Sequence, residues 1–144
     1  MEEQVHLELE KLRIENRRLT RAQAVARLGS WEFDLASRTV TASDEARRIY
    51  GLGQGEWSIE QVQRIPLPEY REMLDGLLTD LVEKGERYEV EFQIRRPTDG
   101  ALLTIRSQAV VDPERQRVLG TIQDVTRQRQ AEEALAKSER SLTI

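Results

Sequence analysis

Cysteine is absent from the 144 residues, and histidine occurs once, as His6. Without cysteine there is no disulfide, no thiolate zinc site, no iron–sulfur ligation and no cysteinyl nucleophile. One histidine near the N-terminus excludes a Ser-His-Asp triad and a histidine-ligated haem or metal in the remainder of a single chain. No run of about 20 apolar residues exists to span a bilayer. The first residues are acidic rather than basic and then apolar, so they do not read as a secretory signal. The default compartment is the cytoplasm. Charge is plentiful: 33% of residues, against 38% hydrophobic, with a net charge of −4. The excess sits at the two ends. An acidic balance gives no general attraction to nucleic acid or an anionic membrane surface.

The chain divides into three segments. Residues 1–27 hold no Gly or Pro and are dense in Glu, Arg, Leu and Ala, which is long-helix composition. Val5, Leu12, Leu19 and Ala26 fall on d-positions of a heptad, with Leu9, Asn16 and Gln23 on a-positions. Asn at an a-position favours a parallel dimer in fixed register. Glu8 and Arg13 then occupy g and e positions and attract across such a pair. The expected dimer interface is Val5, Leu9, Leu12, Asn16 and Leu19. Leu7 and Ile14 form a second stripe on the outer f-positions, suited to lying against the following domain. Two readings stay open here: a dimerising coil, or one amphipathic helix folded back on its own domain. A 25-residue helix alone is marginal in water, so it needs a partner of some kind.

Residues 28–126 hold the turns, nearly all the aromatics and all four prolines. Gly29 is expected to end the first helix. Trp31, Phe33 and Leu35 alternate with polar residues, the period of a half-buried strand. A second short strand lies around Val40. Ser43-Asp44-Glu45 opens a short helix closed by Gly51. Ser58 to Gln61 reads as a capping box, with Trp57 and Val62 as its hydrophobic staple. Pro68 starts a longer helix. Its stripe is Met73, Leu74, Leu77, Leu78, Leu81 and Val82, and Gly85 stops it. The period then becomes two. Tyr88, Val90, Phe92 and Ile94 share one face; after the Asp99-Gly100 turn, Leu103, Ile105, Ser107, Ala109 and Val111 share the face of the next strand. A last strand runs from Val118 to Val125. The expected fold is α+β, a five-stranded antiparallel sheet with helices on one face. Residues 127–144 read as a second helix, capped by Thr126 or Asp124, with a weak seam at Ala131, Leu135, Ser138 and Leu142.

These pieces, in this order, resemble a PAS domain. Leu28 to Leu35 is similar to the first strand of the subgroup common in bacterial sensor kinases and diguanylate cyclases. Ser43 to Leu52 resembles the family's short helix ending in Gly, Arg96 to Gly100 its Asp-Gly hairpin, and Gly120 to Thr126 its closing strand with an Asp-Val-Thr motif. The chain departs from the family's frequent Arg-Trp and His-Pro, where it has Leu103-Thr104 and Leu67-Pro68. The resemblance implies a non-catalytic sensory and dimerisation module of a larger bacterial signalling protein, a histidine kinase or diguanylate cyclase. Such a module is expected to form a homodimer and to relay a change through its C-terminal helix to an output domain.

Function must still be argued from the site. Haem forms of the family use a side chain from the helical face, usually histidine, and His6 lies in the N-terminal helix. Light-sensing flavin forms need a cysteine, which is absent, so the photoadduct is excluded; Ile122 stands where those members place a flavin-contacting glutamine. The cofactor is otherwise unknown, and no metal site is read. A small-molecule pocket over the sheet would be lined by Ile49, Trp57, Val62, Leu77, Leu78, Phe92, Ile94, Leu103, Ile105, Ser107 and Ile122, with Ser107 its polar group. The other reading is that these residues simply fill the core. Asp124 and Thr126 sit where the last strand meets the C-terminal helix, as a signal-transmitting hinge or an ordinary cap. Glu89 and Glu91 lie about 7 Å apart on one strand face, either a catalytic carboxylate pair or partners of Arg106 or Arg95. Three functions follow: a ligand sensor, a ligand-free dimerising relay, and a small enzyme.

Overall fold

A computed structural model describes residues 2–142. Helix α1 (Glu2–Ala26) leads into strand β1 (Leu28–Asp34). Then come β2 (Thr39–Ala42), helix α2 (Asp44–Tyr50), the two-residue strand β3 (Trp57–Ser58), the single turn α3 (Ile59–Val62) and the long helix α4 (Pro68–Lys84). Strands β4 (Tyr88–Arg95), β5 (Leu102–Asp112) and β6 (Arg117–Asp124) precede helix α5 (Thr126–Leu142). The fold is α+β: one antiparallel sheet in the order β3-β2-β1-β6-β5-β4, with α2, α3 and α4 against its inner face. The sheet has six strands, one more than expected. The extra strand is Trp57–Ser58, which pairs with Val40 and Thr39. Two residues are too few to show a period of two, so only the cap was visible in sequence.

Local signals place the helices. The Ser43 side chain accepts the Ala46 N–H, and Gly51 closes α2 at φ 69°. Ser58 and Gln61 form the reciprocal capping box, at 3.1 and 3.0 Å. Pro68 starts α4 and Gly85 ends it at φ 65°. Along α4, Leu74 and Leu81 are buried and Leu77 and Leu78 half-buried, but Met73 and Val82 face solvent. Those two flank the stripe, and the sheet reaches only its centre.

The end of α1 differs from expectation. Arg27, at φ 53°, turns the chain out of the helix. Gly29 lies inside β1 and is buried. A Cβ there would stand 2.5 Å from the Ala46 Cα, so α2 packs directly on the bare backbone of β1. Gly120 does similar work: a Cβ on it would fall 2.2 Å from the Trp31 ring. Trp31 and Gly120 are cross-strand partners, so the indole lies over the glycine.

Both terminal helices project. No residue of α1 is buried, and Val5, Leu9, Leu12 and Leu19 are 49–61% exposed. Leu7 and Ile14 are also exposed, so the second stripe does not lie against the chain's own domain. Only the last turn of α1, at Gln23 and Ala24, is partly covered. In α5, Ala131, Leu135 and Ser138 are exposed. The Leu142 side chain, and Met1, Thr143 and Ile144 of the expected segments, lie outside the described residues. The accessible surface is 10320 Å², against roughly 7,600 Å² for a compact chain of this size. The projecting helices account for the excess.

Two predictions follow from this packing and its surface charges. Gly120→Ala should cost about 1–3 kcal/mol by displacing the Trp31 ring. Gly29→Ala should cost more, because the obstructing atoms belong to the α2 backbone; urea unfolding of both variants checks the order. The second prediction concerns acid. The Arg96 guanidinium, with the Ala101 N–H, holds the Asp99 carboxyl down at about 2. Backbone N–H groups of Ser37 and Ala36 lower Asp34. Folding thus favours both charged forms. Their stabilisation is present above the ordinary value of 3.8 and lost as pH falls toward 2. The urea midpoint should therefore fall through that window, and Asp99→Asn should lessen the fall.

Candidate functional site

Two places on the fold combine polar chemistry with a structural junction. The first is the space between the inner face of the sheet and the helices. It contains a cavity of about 50 Å³, room for a few waters and far below the roughly 300–1,000 Å³ of metabolite pockets. Of the residues expected there, Trp57, Val62, Leu78, Phe92, Ser107 and Ile122 border the cavity. Ile49, Ile94, Leu103 and Ile105 lie in the packed core beside it. Leu77 packs against a second cluster around Phe33 and Val118. Trp31, Val40, Tyr50 and Tyr88 also border the cavity, beyond the residues expected there. Tyr88 was recoverable, since it shares the inward parity of Phe92 and Ile94. Tyr50 was not, because the last turn of a short helix fixes no face.

The cavity is mostly apolar with a few polar atoms. Ser107 is 2% exposed. Burial pushes the Tyr88 phenol up to about 12; a hydrogen bond with Ser107 works the other way, and the Asp75 charge adds to the rise. Burial, and Tyr88 beside it, push Tyr50 up as well. Both phenols are neutral at any physiological pH. Trp57 Nε1 is buried and has no hydrogen-bond partner among the described residues.

The second place is where the chain enters and leaves the sheet. β1 and β6 are antiparallel neighbours at the centre of the sheet, so the end of α1 and the start of α5 meet at one end of these two strands. Asp124 N–H donates to the Arg27 carbonyl at 3.1 Å, and Gln123 Nε2 donates to the Ala26 carbonyl at 3.4 Å. The Asp124 carboxylate accepts the Thr126 N–H at 3.0 Å and the Thr126 hydroxyl. Thr126 Oγ1 in turn accepts the Thr104 N–H at 2.9 Å, and the Val125 N–H donates to the Thr104 carbonyl. Asp124 thus satisfies the first turn of α5, while Thr126 ties that turn to β5. Glu91 adds a tie from β4, its Oε1 2.7 Å from Arg129 Nε.

Thr104, Arg27, Glu91 and Arg129 were not read as junction residues. Thr104 is an ordinary outward residue of an alternating strand, and Arg129 one basic residue among several. Glu89 pairs with Arg106 at 2.6 Å and with Arg87; Arg106, then Arg87, hold it below the usual carboxylate range. Glu91 pairs with neither Arg106 nor Arg95 but with Arg129 on α5. The two carboxylates are therefore committed to different arginines, not to each other. Among the described residues, no three His, Asp or Glu side chains cluster as metal ligands, and no helix is long and apolar enough to cross a membrane.

The junction makes a specific prediction. Asp124→Ala should cost about 1 kcal/mol through loss of the cap. Thr126→Val should cost about 1–3 kcal/mol, because it leaves the part-buried Thr104 N–H without an acceptor. Amide exchange of residues 126–130 should speed up in both variants while the rest of the sheet keeps its protection.

Comparison with known proteins supports the fold. The family model described as the PAS fold matches residues 39–122, more than half of the chain. No curated protein matches it. The chain is similar to the structure of a sensory box histidine kinase/response regulator from Burkholderia thailandensis, with 23% identity and a TM-score of 0.68 over 87% of this chain and 97% of that one. It is similar to the N-terminal domain of a diguanylate cyclase with PAS/PAC sensor from Marinobacter aquaeolei, with 19% identity and a TM-score of 0.62 over 71% and 98%. A PAS domain from Colwellia psychrerythraea aligns with 20% identity and a TM-score of 0.53 over 79% and 98%.

Proposed function

The chain belongs to the PAS fold family, and we propose that it is a sensory-type dimerisation relay of a signalling protein rather than an enzyme. The reading rests on one observation: the Arg27–Asp124–Thr126–Thr104 hydrogen-bond chain joins the end of α1 to the start of α5. A second copy covers the exposed seam of Val5, Leu9, Leu12, Asn16 and Leu19. A change in how two α1 helices pair then reaches α5 through the ends of the central strands β1 and β6, and passes from α5 to an output domain of the kind that follows sensors in histidine kinases and diguanylate cyclases. Asn16 and Gln23 weaken the seam, which leaves the pairing open to small shifts. A tenfold preference of a signal for one state, about 1.4 kcal/mol, suffices only in such a balanced pair. Action in the cytoplasm is part of the same reading.

A second reading keeps a small ligand in the core. One observation favours it, the unpartnered Trp57 Nε1 at the cavity wall. The cavity volume favours the relay.

One experiment separates these readings. The chain has no cysteine, so a single Glu133→Cys carries one spin label on exposed α5. Light scattering should give a dimer, and pulsed electron resonance an interchain distance between labels. Asn16→Ile should tighten the dimer, loosen its register and alter that distance, and Asp124→Ala should abolish the alteration. A monomer, or a distance indifferent to Asn16→Ile, overturns the relay. A releasable adduct in native mass spectrometry would favour the ligand reading.

A further inference from the structure

A groove of about 490 Å³ opens between the loop before α4 and the β4–β5 hairpin. Two backbone contacts fix its walls: the Leu67 N–H donates to the Gln93 carbonyl, and Pro66 bridges Ile94. Four arginines line it, Arg64, Arg71, Arg95 and Arg96, and among the described residues no carboxylate does. This runs against the net charge of −4.

The guanidiniums are not equally occupied. Arg96 is held by both oxygens of Asp99, at 2.9 and 2.6 Å. Arg71 donates only to backbone carbonyls, those of Pro66 at 3.1 Å and Arg64 at 2.9 Å. Arg95 donates only to the Gly100 carbonyl at 2.9 Å. The Arg64 side chain has no hydrogen-bond or ion-pair partner among the described residues. Asp75 and Glu60 share a neighbouring groove with Arg64 and Arg71, but Glu60 pairs with Arg38 and Asp75 pairs with neither arginine. Three positive charges thus face one concavity without a carboxylate. Two are already oriented by carbonyls, which removes part of the ordering cost of binding.

Guanidinium forks match phosphate oxygens in geometry and charge. Besides the arginines and Gly100 the lining is apolar, Ile65, Pro66, Leu67, Pro68 and Pro97, three of them rigid prolines. We propose that this groove binds a small organic phosphate carrying two or more negative charges, with Arg64, Arg71 and Arg95 on the phosphates and the organic part against the prolines. The proposal does not depend on the relay reading, although the Asp124 carboxylate of the junction acts electrostatically on Arg96 of the groove.

The test is a titration of the full chain with ATP and with inorganic tripolyphosphate as probes, followed by amide chemical shifts. ATP should bind saturably, with shift changes confined to residues 64–71 and 95–100. Arg64→Glu and Arg95→Glu should each weaken it about tenfold or more, and added salt should weaken it further. Both side chains are exposed, so thermal unfolding should stay unchanged and serves as the control. Tighter binding of ATP than of tripolyphosphate, which has the same number of phosphates, supports the apolar wall, and equal or weaker affinity overturns that part. No saturable binding of either probe, shifts located elsewhere, or affinity indifferent to both variants overturns the site.

Discussion

β1 runs against β6 over seven residue pairs, from Leu28–Gln123 to Asp34–Arg117. Every other strand pair joins segments close in sequence. This pairing alone bridges the N-terminal strands and the β4–β5–β6 meander, so it carries the largest loop-closure cost. Close backbone approach offsets that cost. Gly120 admits the Trp31 ring, and Gly29 admits α2 through Ala46. Phe33 and Val118, paired across the seam, are 2% and 0% exposed. Once β1 is seated, the inner face is continuous and the helices have a surface to cover.

The same pairing decides which elements meet where the chain enters and leaves the sheet. Because β1 and β6 are antiparallel, the chain enters and leaves at the same end of the two central strands. Arg27 and Asp124 meet there, and the capping of α5 becomes part of the sheet's hydrogen-bonding. A cap between neighbouring residues would be a local matter. Here Thr126 reaches β5, Asp124 reaches the end of α1, and Arg129 reaches Glu91 on β4. Movement of any of these strands therefore bears on the first turn of α5. The core behind the junction is nearly full, with Ile94 and Ile105 at 0% exposure, and close-packed interiors pass strain on rather than absorb it.

Much of this was legible in the sequence. The caps at Ser43 and Ser58, the stops at Gly51 and Gly85, and the alternating strands after Tyr88 are local signals, and each fixes an element from a few neighbouring residues. What failed was local evidence for long-range roles. Gly29 reads as a helix stop but serves packing between a strand and a helix. Trp57–Ser58 reads as a staple and cap, yet also pairs with β2. The inward parity of Phe92, Ser107 and Ile122 was readable; which inward residues border the cavity and which fill the core was not.

Composition and spacing by themselves determined the α+β class, the long terminal helices and the absence of thiol chemistry, because these follow from residue type and period. Tertiary structure decided that α1 stands clear of its domain, that Glu91 chooses Arg129, and that four arginines from two stretches distant in sequence share one groove. The physical reason is that such choices depend on which backbones the β1–β6 pairing and the β4–β5 hairpin bring together. A side chain's period gives its face, not the partner it meets there.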